Sequence, residues 1–125
     1  MRAGRSKIID NVVTGSTFDG IALDDQAGPV TGNTVSTNQV SGGGTGIGLY
    51  GADSNKVAKN KVENNSADGL FVDETSNSNT FTSNRASGNA PYDCEDLSTG
   101  TRTAGTANTW KQNIGAAANP PGICA

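Results

Sequence analysis

The amino-acid sequence predicts an all-β fold in which the chain winds into a β-solenoid of about five coils. Three observations predict it. A short motif recurs along the chain, its apolar residues alternate as in strands, and 56 of the 125 residues are Gly, Asn, Ser or Thr. This turn-rich composition disfavours long amphipathic helices. The length fits a single domain, residues 1–125, and the net charge of −3 is small for a disordered chain.

The recurring motif is N-x-apolar-x-x-N-x-apolar. Its five units begin near residues 6, 33, 55, 79 and 108, so the offsets between units are 27, 22, 24 and 29 residues. The motif keeps its length while the connecting loops vary, as expected of stacked coils. A second strand is predicted about ten residues after the inner Asn of each unit. It begins at Gly20-Ile21, Gly46-Ile47 and Gly69-Leu70, and the same register places Asp93-Cys94-Glu95-Asp96 on it in the fourth unit.

Stacking these units aligns equivalent side chains in columns. The predicted inward columns are Ile8, Val35, Val57, Phe81 and Trp110; Val13, Val40, Val62 and Ala86; and Ile21, Ile47, Leu70 and Cys94. The inner asparagines form a further column of Asn11, Asn38, Asn60, Asn84 and Asn113. An amide carries both donor and acceptor, so stacked Asn side chains can bond to the coils above and below. These asparagines could instead bind a ligand, but recurrence in every coil favours the structural interpretation.

The two cysteines, Cys94 and Cys124, are 30 residues apart, close to the coil offset of 29. Neighbouring strands of a sheet lie about 4.8 Å apart, which is within the Cα separation of a disulfide. We therefore predict a disulfide between Cys94 and Cys124 that links the last coil to the coil before it. Because disulfides persist in oxidising environments, we also predict an oxidising compartment. The alternative is a pair of free thiols in the core.

Units of N-x-V-x-x-N followed by D-G-I/L resemble the right-handed parallel β-helix repeat of pectate lyases, polygalacturonases, alginate C5-epimerases and many bacterial surface or secreted proteins. The closing stretch N-T-W-x-x-N-x-G…P-x-G-I-C, Asn108 to Cys124, resembles the last coil of secreted bacterial members. The resemblance covers nearly the whole chain. It implies a single-stranded right-handed parallel β-helix, a secreted or cell-surface location, and a carbohydrate-facing groove where lyases use carboxylates, calcium and a basic residue.

The candidate sugar-facing strip lies at the ends of the second strands. Asp24, Tyr50 and Asp73 share one column just after these strands, while Asp19 and Asp68 share the column just before them. Acidic residues at strand ends are also common simply as solvated turn residues. We predict that these five residues bind substrate, without assigning any of them a catalytic role.

The carboxylate doublets Asp24-Asp25 and Asp73-Glu74 could bind calcium, since this ion prefers oxygen ligands. No other cofactor is predicted. Register places Asp96 on the inward face, where a carboxylate is costly unless paired. Arg85 or Arg102 would pair with it if it were buried, but we expect the strand to end early and expose it.

Several functional classes are excluded or disfavoured by composition. The chain has no histidine, which excludes Ser-His-Asp and Cys-His catalysis, HExxH metalloproteases and histidine-bound zinc. A pI near 4.7 argues against nucleic acid and favours a neutral or cationic partner. No apolar run approaches the roughly 20 residues that span a bilayer.

Two functional hypotheses remain. The first is a structural or interaction β-solenoid module of a secreted or cell-surface protein that binds polysaccharide. The alternative is a carbohydrate-active enzyme of the uronate lyase, epimerase or hydrolase type. The first coil has no predicted cap, so the chain is a piece of a longer β-helix, or another copy stacks on it, or the basic arm of Arg2, Arg5 and Lys7 shields its edge. We predict homodimerisation through this N-terminal coil.

Overall fold

A computed structural model describes residues 5–26 and 28–125. Within them the chain forms sixteen short strands and a single 3-10 turn at Thr103–Gly105. All strand pairs are parallel, and each strand pairs with strands one coil away. The predicted all-β fold, a parallel β-helix of about five coils, is therefore confirmed. In these residues no helix has the length and apolar character needed to cross a membrane.

Two sheets of five strands and one of four run along the stack, and a two-stranded fourth sheet covers one corner. Sheet A contains β1 (Lys7–Ile9), β5 (Thr34–Ser36), β9 (Lys56–Ala58), β12 (Thr80–Thr82) and β15 (Thr109–Lys111). Sheet B contains β2 (Val12–Thr14), β6 (Gln39–Ser41), β10 (Lys61–Glu63) and β13 (Arg85–Ser87). Sheet C contains β3 (Ile21–Asp24), β7 (Ile47–Tyr50), β11 (Leu70–Val72), β14 (Cys94–Asp96) and β16 (Ala118–Asn119). Sheet D contains β4 (Val30–Thr31) and β8 (Ala52–Asp53).

The core consists of the side chains that point inward from these sheets. The three predicted columns are confirmed by strand register, for example Val35 against Val57 and Val40 against Val62. At the C-terminal end Phe81 and Trp110 stack with ring centroids 4.0 Å apart. Because each coil contributes few apolar residues, burial depends on the neighbouring coils, as expected of a solenoid.

The aligned asparagines hydrogen-bond from coil to coil. The Oδ1 atom of Asn60 accepts from the backbone N–H and the Nδ2 of Asn38, both at 3.0 Å. Its own Nδ2 donates to Asn84 Oδ1 at 3.0 Å and back to the Val35 carbonyl at 2.9 Å. The side chain thus uses two acceptor sites and both N–H donors, which satisfies a buried amide completely. This geometry supports the structural interpretation of the column.

Two more polar columns have the same arrangement. The outer asparagines of the motif bond in series, and their column runs through Ser6, Asn33, Asn55, Asn79 and Asn108. A further column, which the sequence motif did not include, links Gly43 to Asn65, Asn89 and Asp93. Between sheets A and B the chain turns through one left-handed residue per coil, with φ between 53° and 59°; these residues are Asp10, Thr37, Lys59, Ser83 and Gln112.

The fifth coil closes the C-terminal end. A disulfide joins Cys94 and Cys124, as predicted, with a Cα separation of 6.3 Å. The sequence pattern predicted that residues Gly122 to Cys124 lie next to Cys94. It did not predict the short strand β16, whose Ala118 pairs with Cys94. The bridge and β16 together hold the last segment against sheet C.

The expectation that Asp96 is exposed is wrong. The residue is only 3% exposed, and neither Arg85 nor Arg102 pairs with it. Instead its carboxylate accepts hydrogen bonds from Ser98 Oγ and backbone N–H, from Asn108 Nδ2 and from Trp110 Nε1. Neutral donors therefore solvate this buried carboxylate in place of an arginine.

The first coil forms one edge of sheets A, B and C, through β1, β2 and β3. Two of its apolar residues are well exposed, Val12 at 72% and Phe18 at 81%, whereas Ile21 and Leu23 are buried. Arg2, part of the predicted basic arm, lies outside the described residues.

Candidate functional site

The outward face of sheet C carries the candidate site, and its geometry follows from strand alternation. Every second side chain of β3, β7, β11 and β14 points away from the core. Register places Asp24 beside Tyr50, and Phe71 between Gly48 and Glu95. Asp19, Thr45 and Asp68 occupy the position before these strands in successive coils. The backbone carbonyls of Thr45 and Asp68 accept hydrogen bonds from the N–H groups of Gly20 and Gly46 in the preceding coil.

The aromatic pair Tyr50 and Phe71 lies at the centre of this face. Their ring centroids are 5.6 Å apart at an angle of 37°, and both side chains are half-buried. The Tyr50 hydroxyl donates to Asp19 Oδ1 at 3.1 Å. Burial, then the charge and hydrogen bond of Asp19, raise the pKa of Tyr50. Tyr50 therefore remains a protonated hydrogen-bond donor at physiological pH.

The ring of Tyr50 lies across the backbone of Gly48. A Cβ atom at Gly48 would lie 2.5 Å from the Tyr50 hydroxyl oxygen and 2.6 Å from its Cε2 atom. Only glycine leaves this space, so the glycine permits the tyrosine to reach Asp19. In sequence this glycine indicated only a narrow strand.

Acidic side chains flank the aromatic pair. Burial raises the pKa of Asp19, an effect opposed by hydrogen bonds from Tyr50 and Thr45. Burial also raises the pKa of Asp68 to about 7, and the hydrogen bond and charge of Glu95 add to this shift. A hydrogen bond between two carboxyl groups requires one of them to carry a proton. Near neutral pH the raised pKa of Asp68 therefore leaves its carboxyl group partly protonated, so that it can donate to Glu95.

The pair is held by neighbouring donors. The backbone N–H of Tyr92 donates to Asp68 Oδ1 at 3.1 Å, and Asn119 Nδ2 donates to Glu95 Oε2 at 3.0 Å. Asp68 is only 6% exposed, whereas Glu95 is half-buried. The exposed edge of the pair is thus mainly Glu95.

Asp24 and Asp73, which the sequence analysis predicted to bind substrate, accept hydrogen bonds at the ends of their strands. Asp24 Oδ1 accepts the backbone N–H of Gln26. Asp73 Oδ1 accepts from Gly51 N–H, Thr75 N–H and Ser76 Oγ. Both carboxylates organise the turns that follow their strands. The structure therefore brings Tyr50 together with Asp19 and Phe71, and Asp68 together with Glu95. Asp24 and Asp73 lie beside them in the turns that follow their strands.

Two residues of this site were missed by the sequence analysis. Phe71 and Glu95 occupy the outward position inside the second strand, whereas the candidate residues were taken from the strand ends. The alternation of β11, where Leu70 and Val72 point inward, could have identified Phe71. We define the acidic–aromatic face as Asp19, Tyr50, Asp68, Phe71 and Glu95.

The fold and this face define a parallel β-helix with aligned asparagines and one acidic, aromatic sheet surface. The model of the family "Periplasmic copper-binding protein (NosD)" matches residues 1–119. The chain belongs to this family, which is consistent with the predicted parallel β-helix resemblance. Comparisons with curated proteins and with solved structures gave no significant match.

The family description raises the question of a copper site in this chain. Copper is held in proteins mainly by imidazole, thiolate and thioether ligands. This sequence has no histidine, and its two cysteines are bonded to each other. In residues 5–26 and 28–125, no three His, Cys, Asp or Glu side chains are grouped so that they could hold a metal ion. The donor set does not fit copper, and the calcium prediction for the two acidic doublets remains only a prediction.

Proposed function

We propose that the chain is a non-catalytic glycan-binding module of the periplasm or cell surface. The observation that carries this proposal is the aromatic pair Tyr50–Phe71, which lies half-exposed on a flat sheet with carboxylates beside it. A pyranose ring offers an apolar C–H face to an aromatic ring and hydroxyl groups to neighbouring carboxylates. The location follows from the family description and from the disulfide, which suits an oxidising compartment.

The charge of the face selects the kind of glycan. Its partly exposed acidic residues are Asp19, Glu95, Asp24 and Asp73, whereas Asp68 is buried. None of the described outward residues of sheet C is basic. A polyanion such as a uronate polymer would be repelled, so we propose a neutral or amino-sugar polysaccharide.

Titration calorimetry with chitosan oligosaccharides and with a neutral β-glucan tests this function. Tyr50→Ala and Phe71→Ala should each weaken binding about tenfold, because aromatic residues dominate such contacts. Ile114→Ala is the matched control, since Ile114 is an exposed apolar residue beside sheet B. Gly48→Ala provides a sharper test: it displaces the Tyr50 ring without removing it and should weaken binding comparably. Equal affinities for Tyr50→Ala, Phe71→Ala and Ile114→Ala would contradict the proposal.

A second candidate is a glycan-cleaving or glycan-modifying enzyme. It is favoured by the Asp68–Glu95 pair, since a carboxyl group with a pKa of about 7 beside a second carboxyl group is suited to general acid catalysis. Incubation with amino-sugar, neutral and uronate polymers, followed by assays for reducing ends, unsaturated products and altered epimer ratios, tests it. Turnover that is lost in Asp68→Asn would establish that the protein is an enzyme. Absence of product from every polymer would contradict the enzyme proposal and favour the glycan-binding module.

Self-association through the first coil is a further part of the proposal. In the described residues β1, β2 and β3 are each paired on one side only, and Val12 and Phe18 of this coil are exposed. Both observations support it, because exposed sheet edges favour pairing with another chain. Size-exclusion chromatography with light scattering should show a dimer that Val12→Lys dissociates. Monomer alone at high concentration would contradict it.

A further inference from the structure

The outward side of sheet A differs from that of sheet C in charge and in the kinds of side chain that it carries. Its side chains form two columns. The first column contains Lys7, Thr34, Lys56, Thr80 and Thr109. The second contains Ile9, Ser36, Ala58, Thr82 and Lys111. We call this surface the Lys–Thr face. It carries three lysines and five hydroxyl side chains but no acidic residue, whereas the outward side of sheet C is acidic.

The lysines of the Lys–Thr face are exposed and have no ionic partner. The single ion pair within the described ranges joins Lys61 and Glu63 on sheet B. The acidic residues that flank the face are bonded to neutral groups of neighbouring turns and not to its lysines: Asp10 accepts from Thr37 Oγ1, and Asp53 accepts from the backbone N–H of Asn77. Lys59 extends the positive charge around the corner. The Lys–Thr face is therefore locally cationic although the net charge of the chain is negative.

We propose that the Lys–Thr face is a second binding surface, specific for a linear carboxylated polysaccharide that lies along the stack. Lys7 and Lys56 are two strands apart in sheet A, and Lys56 and Lys111 are again two strands apart. At the strand spacing of a sheet this is about 10 Å per step along the stack. A linear polyuronate carries a carboxylate on every sugar, so carboxylates of one polymer can reach Lys7 and Lys56 in one column and Lys111 in the neighbouring column.

The residues between the lysines favour a sugar polymer over other polyanions. Thr34, Thr80 and Thr109 lie half-buried beside the lysines and can donate to or accept from sugar hydroxyls. Single-stranded nucleic acid binds with aromatic stacking, and the outward positions of this face contain no aromatic side chain. Membrane binding by insertion requires several apolar residues, whereas Ile9 at one end is the large apolar residue of this face. Charge complementarity together with closely spaced hydroxyls fits an acidic glycan.

Titration of the full chain with polygalacturonate, at low and at physiological ionic strength, tests the second surface. The double variant Lys56→Gln/Lys111→Gln should weaken binding about tenfold, and wild-type affinity should fall as salt rises. The matched control is Arg85→Gln/Arg102→Gln, which removes the same charge outside the Lys–Thr face and should change affinity less than about threefold.

Three results would overturn the proposal. They are no binding of polygalacturonate at low ionic strength, equal losses in the two double variants, and tighter binding of single-stranded DNA or of anionic phospholipid vesicles than of polygalacturonate. Tyr50→Ala separates this surface from the acidic–aromatic face. It should weaken binding of the neutral glycan about tenfold while leaving polygalacturonate binding unchanged.

Discussion

Replacing Asn60 by alanine tests the energetic role of the asparagine columns. The substitution removes Oδ1, which accepts the backbone N–H and one Nδ2–H of Asn38. Asn38 is 1% exposed, so water does not replace these bonds. Each buried donor left without an acceptor costs about 1–3 kcal/mol, so Asn60→Ala should lower the free energy of unfolding by about 2–6 kcal/mol.

The same column provides its own control. Asn11 is exposed, and its Nδ2 donates to Ile9 O and Asn38 Oδ1, while the Oδ1 of Asn38 keeps the backbone N–H of Asn11. Asn11→Ala should therefore cost less than about 1 kcal/mol.

Urea unfolding followed by far-ultraviolet circular dichroism, with the disulfide intact, measures both free energies, and equal slopes against urea show that the same surface is exposed. Equal costs for Asn60→Ala and Asn11→Ala would refute the reasoning, since they would mean that burial does not determine the value of these hydrogen bonds.

Three other measurements test the C-terminal closure and the acidic–aromatic face. Trp110→Phe preserves an aromatic ring but removes the N–H that donates to buried Asp96 at 2.8 Å, so urea unfolding should show a loss of about 2–3 kcal/mol, and a negligible change would contradict this. Reduction of Cys94–Cys124, which are 30 residues apart, should lower stability by about 3–4 kcal/mol, measured as a fall in Tm by calorimetry. The pKa of Asp68 rises from 3.8 to about 7 on folding, so the folded state holds its proton more tightly. Its contribution to stability should be complete below about pH 4 and lost as pH rises through 7. Unfolding at several pH values should show this slope weakened in Asp68→Asn, and an unchanged slope would exclude Asp68 as its origin.

Much of the fold could be predicted because a solenoid repeats its constraints. The column from Ile8 to Trp110 was readable since each coil places an apolar residue at the same offset from an asparagine. The column through Asn65 and Asn89 was not readable, because it begins at Gly43, where a backbone N–H takes the place of an amide.

The candidate site was predicted only in part. The contact of Tyr50 with Asp19 joins different coils and depends on the empty space above Gly48, which strand alternation does not reveal. Asp96 was misjudged for a related reason. Its donors Asn108 and Trp110 belong to the next repeat unit, and the irregular loop between Asp96 and that unit hides their proximity in the sequence.

Net charge was the least informative quantity. The pI near 4.7 favoured a neutral or cationic partner, yet it averages two surfaces of opposite character. Charge patterning becomes readable only after each residue is assigned to a sheet, because alternate residues of one strand point to opposite sides.

The asparagine hydrogen bonds also have a direction. In all three columns an amide oxygen receives its hydrogen bonds from the coil that precedes it in the chain, and in no described column is this order reversed. Within these columns each internal coil therefore presents donors to the coil that follows and acceptors to the coil that precedes it. A coil stacked in the reverse orientation would place donors against donors and acceptors against acceptors, so the columns fix the direction in which the coils stack.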